Sequence, residues 1–148
     1  MADHLHLDEQ LCFSLYAASR AMTAVYRTKL EKLGVTYPQY LVLLALWERD
    51  GRSVGELCQT LALDSGTLSP LLKRLEAAGN IERRRSAEDE RRVEIHLTGQ
   101  GKALRDRACG IPNQMSAASG LSMDEFRTLQ DTLRRLTRAL TATVEQGE

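Results

Sequence analysis

The sequence predicts a mainly α-helical domain with one small β-hairpin, and three observations carry that expectation. Apolar residues recur at helical spacing in one segment after another. Strict alternation is confined to a single stretch near residues 92–97. Capping residues and glycines bracket the helical segments. Within residues 53–98, two short helices are followed by two strands joined by a charged turn, SAEDER. That order of elements is a winged helix-turn-helix, which makes duplex DNA the expected partner.

Taken in chain order, the first helix is expected from about residue 8 to 33, closed by Gly34, with Leu11, Leu15, Ala18, Met22 and Val25 on one side. Thr36 opens the second: Pro38 falls in its first turn, Gln39 completes a capping box, and Leu41, Leu44 and Trp47 carry it to Gly51. Ser53 and Glu56 match a further capping box, Val54, Leu57, Cys58 and Leu61 form an apolar face, and residues 62–64 make the turn. The next helix offers Ser65, Thr67 and Ser69 at its start, short enough to let backbone approach the floor of a groove. Lys73 and Arg74 follow one or two turns later, where phosphates would lie. Leu68, Leu71, Leu72 and Leu75 are its buried stripe and Gly79 stops it. A proline inside a helix costs about 3 kcal/mol, so the N-cap is expected late, at residues 65–67, which puts Pro70 in or close to the first turn.

The strands are expected at 81–85 and 92–97, the second turning Val93, Ile95 and Leu97 inward and Arg92, Glu94 and His96 outward. Arg83, Arg84, Arg85, Arg91 and Arg92 gather around this hairpin, and a planar forked cation suits both phosphate and a narrow minor groove. Arg91 is the expected insertion at the tip, held in place by a side-chain pair with Asp89. The DNA-contacting set is then Ser65, Thr67, Ser69, Pro70, Lys73, Arg74, Arg84, Arg85, Asp89 and Arg91. Glu82, Glu88, Asp89 and Glu90 lie among the arginines, so a merely solvated or protein-binding face is the competing reading.

Thr98 opens a third long segment that breaks at residues 110–112; residues 112–120 read either as its extension or as a loop. Ser122 and Glu125 start a last helix with Phe126, Leu129, Leu133, Leu136, Leu140 and Val144 in one stripe. The whole chain, 1–148, reads as a single domain, with 7–35 and 98–146 as dimerisation helices and 36–97 as the winged helix-turn-helix. The terminal helices carry more apolar surface than a small winged domain needs for itself, and a twofold homodimer would cover it. Its two recognition helices would meet successive major grooves about 34 Å apart and read an inverted repeat. The alternative is that these helices cap their own domain.

Formal net charge is zero, so any affinity for DNA must come from a local patch, doubled by dimerisation. The longest apolar run, residues 41–47, is too short to span a bilayer, and the N-terminus has no signal-like core, so a cytoplasmic protein without membrane attachment is expected. Three widely spaced cysteines make neither a disulfide framework nor a metal site, and His4, His6 and His96 do not complete one; no metal or other cofactor is expected.

Cys12, Tyr16, Ser19 and Tyr26 lie along one side of the first helix. Tyr26 is fourteen residues from Cys12, about 21 Å up the axis, so the two cannot touch within one chain. An antiparallel helix from a second copy would bring Cys12 of one chain to Tyr26, and to Tyr37, of the other. Phenol hydroxyls donating to sulfur, in an early helical turn, would favour the thiolate and its oxidation by peroxide to a sulfenic acid. The competing reading is a small buried hydrophobe, as Cys58 is read. Cys109, beside the Gly110 break, is either a surface thiol or a resolving partner for oxidised Cys12.

In the blocks LDEQLCFSLY (7–16), TYPQYLVLLALW (36–47), LDSGTLSPLLKRLEAAG (63–79) and DERRVEIHLT (89–98), the chain resembles the MarR family of transcriptional regulators. The first two blocks resemble its organic hydroperoxide resistance repressor branch, and the likeness extends over roughly residues 7–140. The resemblance implies a redox-sensing repressor of a peroxide-detoxification gene, encoding a thiol-dependent peroxidase. Cys12 would be the sensor, Tyr26 and Tyr37 its hydrogen-bond partners across the dimer with Tyr16 beside them, and Arg91 the minor-groove contact. Organic hydroperoxide would be the oxidant. Where some relatives have a resolving cysteine this chain has Ala117, so it resembles the type whose sulfenic acid is captured by a low-molecular-weight thiol, with Cys109 as the internal alternative. Three other functions compete. One is a regulator of the same type released by a noncovalent aromatic ligand, with Cys12 inert. Another is a thiol peroxidase, for which no Cys–His pair is recognisable, and an enzyme is not expected. The last is a protein-binding winged module.

Overall fold

The computed structural model describes residues 4–147, which fall into two compact units that divide the chain between Cys109 and Gly110. In the first, a 3-10 turn (Leu7–Glu9) precedes α1 (Leu11–Leu30), and a second 3-10 turn (Glu31–Leu33) closes at Gly34 with φ 72°. The single helix expected over 8–33 is therefore three pieces. Gln10 interrupts it with extended backbone, and its side-chain amide donates to the carbonyls of His4 and His6, at 2.6 and 3.1 Å.

Helix α2 (Tyr37–Glu48) starts as expected, with both halves of the Thr36–Gln39 capping box formed. It is apolar nearly all round, burying Tyr40, Val42, Leu43, Ala45 and Leu46, as a helix at the centre of a core must. It ends before the expected Gly51 because Asp50 and Gly51 turn the chain into β1 (Arg52–Ser53). Asp50 accepts from the Gly51 and Leu97 N–H groups at 3.0 and 2.8 Å, and Gly51 adopts φ 77°. Arg52 is buried, its Nε donating to the Ala45 carbonyl at 3.0 Å and a terminal nitrogen to Thr60 at 3.3 Å.

In α3 (Val54–Leu61) the Ser53 hydroxyl accepts from the Glu56 N–H, but the reciprocal half of the expected box is absent. The Glu56 carboxylate faces Arg49 and Arg92 instead, because two guanidiniums outbid one backbone N–H. Cys58, read as core, is only half-buried, while Leu57 beside it is fully buried. Ala62 turns the chain with φ 53° into α4 (Ser65–Ala77). That helix begins earlier than expected: Asp64, not residues 65–67, is the N-cap, accepting the Thr67 N–H at 2.7 Å. Pro70 is consequently the sixth helical residue rather than a first-turn residue. It withholds the bond otherwise made to the Gly66 carbonyl, and Gly66 is exposed, so that acceptor is open to solvent rather than buried unpaired. Leu68, Leu71, Leu72 and Leu75 are buried as the periodicity required, and Gly79 ends the helix at φ 84°.

Strands β2 (Ile81–Arg85) and β3 (Val93–Leu97) form the expected hairpin, with Arg83 opposite Ile95 and Arg85 opposite Val93. Adding β1 makes a three-stranded antiparallel sheet in the order β1-β3-β2, one strand more than the alternation revealed. Helix α5 (Gly99–Ala108) starts at Thr98, whose hydroxyl accepts from Gly101 at 3.1 Å and donates to the Gly79 carbonyl at 2.6 Å.

In the second unit, residues 112–120 neither extend α5 nor loop out. Residues 112–118 belong to a separate helix, α6 (Ile111–Ala118), with Pro112 near its start, and Ser119 and Gly120 turn the chain beyond its end, Gly120 at φ 70°. Helix α7 (Met123–Gln146) opens on the expected Ser122–Glu125 capping box, both halves formed. It has no buried residue, and Leu140 and Val144 of its apolar stripe are 56% and 75% exposed. No helix among the described residues is long and apolar enough to cross a membrane.

The tightest backbone approach is at Gly101, where a Cβ would lie 2.1 Å from the Asn80 carbonyl oxygen, itself the acceptor for the Thr98 N–H. Gly101→Ala must push α5 off the β2 entry, at a cost of about 1–3 kcal/mol. A lowered thermal midpoint at fixed protein concentration is the expected outcome, and an unchanged one contradicts the packing described.

Candidate functional site

Two groups of residues are predicted to act together, and in the first the chain assembles the tyrosines but leaves Cys12 at the other end of α1. The first concerns sulfur and phenols. Cys12 is the second residue of α1, in its first turn, and is exposed. At the far end of the same helix, Tyr26 packs on Tyr37 with ring centroids 4.7 Å apart. Tyr40, which the sequence reading did not assign, completes the cluster at 5.9 Å from Tyr26 and 6.5 Å from Tyr37. Its signal was present: in TYPQY the two tyrosines are three apart in a helix, hence on one face.

Burial raises the phenol pKa of all three. Tyr26 is pushed up to about 12, first by burial and then by the neighbouring Tyr37 and Tyr40 rings, whose anions would repel its own. At neutral pH these phenols are protonated donors. Tyr16 stands apart from them: its oxygen accepts from Arg20 at 3.3 Å and the guanidinium lies 5.6 Å from its ring centroid. Its side chain is exposed, one turn along from Cys12. Cys109 is exposed at the end of α5, with its thiol donating to the Asp106 carbonyl at 3.0 Å. All three cysteines are free. Beside Tyr37 lies a cleft of about 400 Å³, lined by residues that include Thr23, Arg27, Val35, Tyr37 and Pro38.

The second group is polar and cationic. Ser65 and Thr67 are exposed on the first turn of α4, Ser69 is half-buried, and Lys73 and Arg74 stand exposed on its outer side. The Asp64 carboxyl is held below its usual range by the Thr67 N–H, so the cap stays ionised and the first turn is fixed.

In the wing, the Ser86 N–H donates to the Arg92 carbonyl at 2.8 Å and the Arg92 N–H to the Asp89 carbonyl at 2.9 Å, closing the loop. Asp89 does not pair with the Arg91 guanidinium as expected. Its carboxylate accepts the Arg91 backbone N–H at 3.0 Å, because a residue two positions on presents its amide, not its long side chain, to an Asx turn. The arginines divide by partner. Arg83 meets Glu76, Arg84 meets Glu82, and Arg92 meets Glu56 and Glu94. Arg85 reaches only the Glu90 carbonyl, at 3.0 Å. Among the described residues Arg91, Lys73 and Arg74 have no acidic partner, so the uncompensated positive charge of the winged unit lies on α4, Arg85 and the wing tip.

Comparison with known proteins meets this geometry. The transcriptional regulator SarA/Rot family matches residues 24–107. The organic hydroperoxide resistance transcriptional regulator of Bacillus subtilis strain 168 is 48% identical over 138 residues, covering 93% of this chain and 94% of that one. Among solved structures, reduced AbfR bound to DNA is 35% identical with a TM-score of 0.79, over 93% of this chain and 94% of that one. Disulfide-formed AbfR is 36% identical with a TM-score of 0.62, over 94% and 92%. AbfR is a protein of Staphylococcus epidermidis.

The tyrosine cluster has a consequence in alkali. A phenol whose folded pKa is raised contributes stability fully present below its unfolded value of 10.0 and lost as pH rises toward about 12. Phenolate absorbance should therefore show a component titrating near 12 that disappears in Tyr26→Phe. A wild-type titration complete near 10 would contradict the cluster.

Proposed function

The chain belongs to the MarR/SarA family of DNA-binding transcriptional regulators, and from that premise we propose that it is a homodimeric, redox-sensing repressor released from its operator when Cys12 is oxidised by organic hydroperoxide. The observation that carries this reading is the placement of Cys12 and the tyrosine cluster at opposite ends of one helix that buries almost nothing. Of α1 only Leu30 is buried, and Leu11, Phe13, Tyr16 and Met22 are exposed. Each such side chain is worth about 1.5–3 kcal/mol when fully removed from water. Two copies of α1 crossing antiparallel near Ser19, midway between residues 12 and 26, would put the sulfur of each at the phenols of the other. Ala17, Ala18 and Ala21 leave room for that crossing. The exposed stripe of α7 supports the same assembly, with residues 7–35 and 98–146 supplying the dimer contacts and 36–97 the DNA-binding region.

The chemistry follows from these groups. Protonated Tyr26 and Tyr37 donate to the Cys12 thiolate of the partner and hold it reactive, with Tyr16, oriented by Arg20, alongside. The thiolate attacks the terminal oxygen of the hydroperoxide, the O–O bond breaks, the alkoxide leaves and is protonated to the alcohol, and sulfur remains as sulfenic acid. A low-molecular-weight thiol then condenses with it, releasing water and leaving a mixed disulfide; Cys109 is the internal alternative. The larger polar adduct breaks the phenol contacts, shifts one α1 against the other and changes the separation of the two recognition helices.

On DNA, the first two turns of α4 present Ser65, Thr67 and Ser69 to base edges, with Pro70 at their shoulder. Lys73, Arg74, Arg84 and Arg85 meet phosphate, and Arg91, on a loop shaped by Asp89, enters the minor groove. The name of the B. subtilis relative and the reduced, DNA-bound and disulfide states named for AbfR support a redox switch of this kind.

The cleft beside Tyr37 favours a second reading, release by a noncovalent aromatic ligand seated there with Cys12 inert. One experiment separates the two, using a duplex selected from a random-sequence pool by the reduced protein. Cys12→Ser should bind that duplex with wild-type affinity and stay bound in cumene hydroperoxide, whereas the wild type dissociates. Release of the variant by peroxide refutes the sensor assignment; saturable release of the variant by a phenolic acid establishes the second reading.

The division of wing charges makes a separate prediction. Arg91→Ala should lower the slope of log affinity against log salt by about two, roughly one for each protomer of the dimer. Arg84→Ala should lower it by less, since Glu82 already neutralises that charge. Equal slopes for the two variants contradict the division.

A further inference from the structure

Glu56 stands where three elements meet. One carboxylate oxygen accepts from Arg49, the residue that ends α2, at 2.7 Å, and the other accepts from Arg92, at the loop end of β3. Its carboxyl is held below the usual range, chiefly by the Arg92 hydrogen bond, so the bridge is ionised at neutral pH.

The sheet is fastened to the end of α2 at other points, but these lie elsewhere. Asp50 holds the Leu97 N–H, and Arg52, paired with Ile95, holds the Ala45 carbonyl. Asp50 grips β3 at the end remote from the wing loop, and Arg52 lies opposite its middle residue, with Ser53 opposite Glu94. Arg83 reaches Glu76 of α4 from the middle of β2. Among the described residues, Glu56 is the acid outside the sheet that holds the loop end of β3. Arg92 is the neighbour of Arg91, and its own N–H closes the loop on Asp89. The other end of α2 carries Tyr37 and Tyr40.

We infer that Glu56 is a positioning residue that couples α2, and with it the tyrosine cluster, to the wing by bridging Arg49 and Arg92. A tilt of α2 at its tyrosine end reaches the wing tip through this carboxylate, and seating Arg91 in DNA returns along the same path. Removing the carboxylate uncouples the two while leaving α3 capped, because the Ser53 hydroxyl holds the Glu56 backbone N–H and not its side chain. The inference rests on DNA binding through α4 and the wing, and it stands or falls separately from the oxidation of Cys12.

The chain has one tryptophan, Trp47, on α2 and in edge contact with Tyr40 at 6.2 Å between centroids, so its emission reports on this helix. The test uses full-length reduced protein and the pool-selected duplex, with no peroxide. Anisotropy of a labelled duplex reads binding, and Trp47 emission reads α2. In the wild type both signals should change together and saturate together. Glu56→Gln should still bind duplex, with affinity within about tenfold of wild type, but lose the emission change. Arg92→Ala cuts the same bridge from the wing side without altering α3, and should also lose it. Trp47 emission that responds in both variants as in the wild type, or that fails to respond in wild type while anisotropy reports binding, overturns the coupling.

Discussion

The desolvation of α2 is the interaction on which the first unit rests. This helix touches α1, α3, α4, α5 and β3, and its apolar residues leave no polar face except at its ends. Those ends carry the residues to which the proposed function assigns a role. At the start, a capping box fixes Tyr37 and Tyr40 against Tyr26; at the finish, Asp50 and Arg52 tie the helix to the sheet and Arg49 ties it to Glu56 of α3. A close-packed rod of this kind transmits displacement rather than absorbing it, since interiors at crystal-like density deform little. Under the proposed function, chemistry at the tyrosines and contacts at the wing would share this one mechanical element.

A second theme is economy of charge. The chain has zero formal net charge, and most wing arginines are matched by nearby carboxylates. What remains unmatched is local: Lys73 and Arg74 on the outer side of α4, Arg85, and Arg91 at the loop tip. The paired arginines brace the hairpin, and under the proposed function the unpaired cations contribute most of the charge offered to phosphate and groove. Such an arrangement restrains indiscriminate binding to polyanions, because the long-range field is weak and only a correctly docked surface gathers its cations together.

The rise of an α-helix sets the third constraint. About 21 Å separates Cys12 from Tyr26 along α1, and no rotamer closes that distance inside one chain. Under the proposed assembly, sensing is a property of the interface, so dimer geometry and thiol chemistry cannot be separated. The high phenol pKa values fit this arrangement, because only a protonated ring can donate to a thiolate, and burial keeps the rings protonated.

The sequence by itself determined the features that depend on short-range chemistry. Helical and alternating periodicities, the caps at Thr36, Ser53, Thr98 and Ser122, and the glycine stops at 34 and 79 were readable because each is settled within a few residues. The order of elements around residues 53–98 was enough for the winged fold, and the four sequence blocks for the family. Tertiary structure decided what depends on partners distant in sequence. Glu56 looked like half of a capping box, yet two arginines outside its helix claimed its carboxylate. Arg52 carries no local signal of its role, yet it is buried against the Ala45 carbonyl. Tyr40 joined a cluster that only the packing of α1 on α2 assembles, and β1 became a strand only because β3 lay beside it. Pro70 was misplaced for the same reason in reverse: local cost argued for a late start, while an Asp64 cap and a buried leucine stripe stabilise the earlier one. Local propensities are worth tenths of a kcal/mol to a few kcal/mol each, and long-range burial and charge pairing decide wherever two local solutions lie that close together.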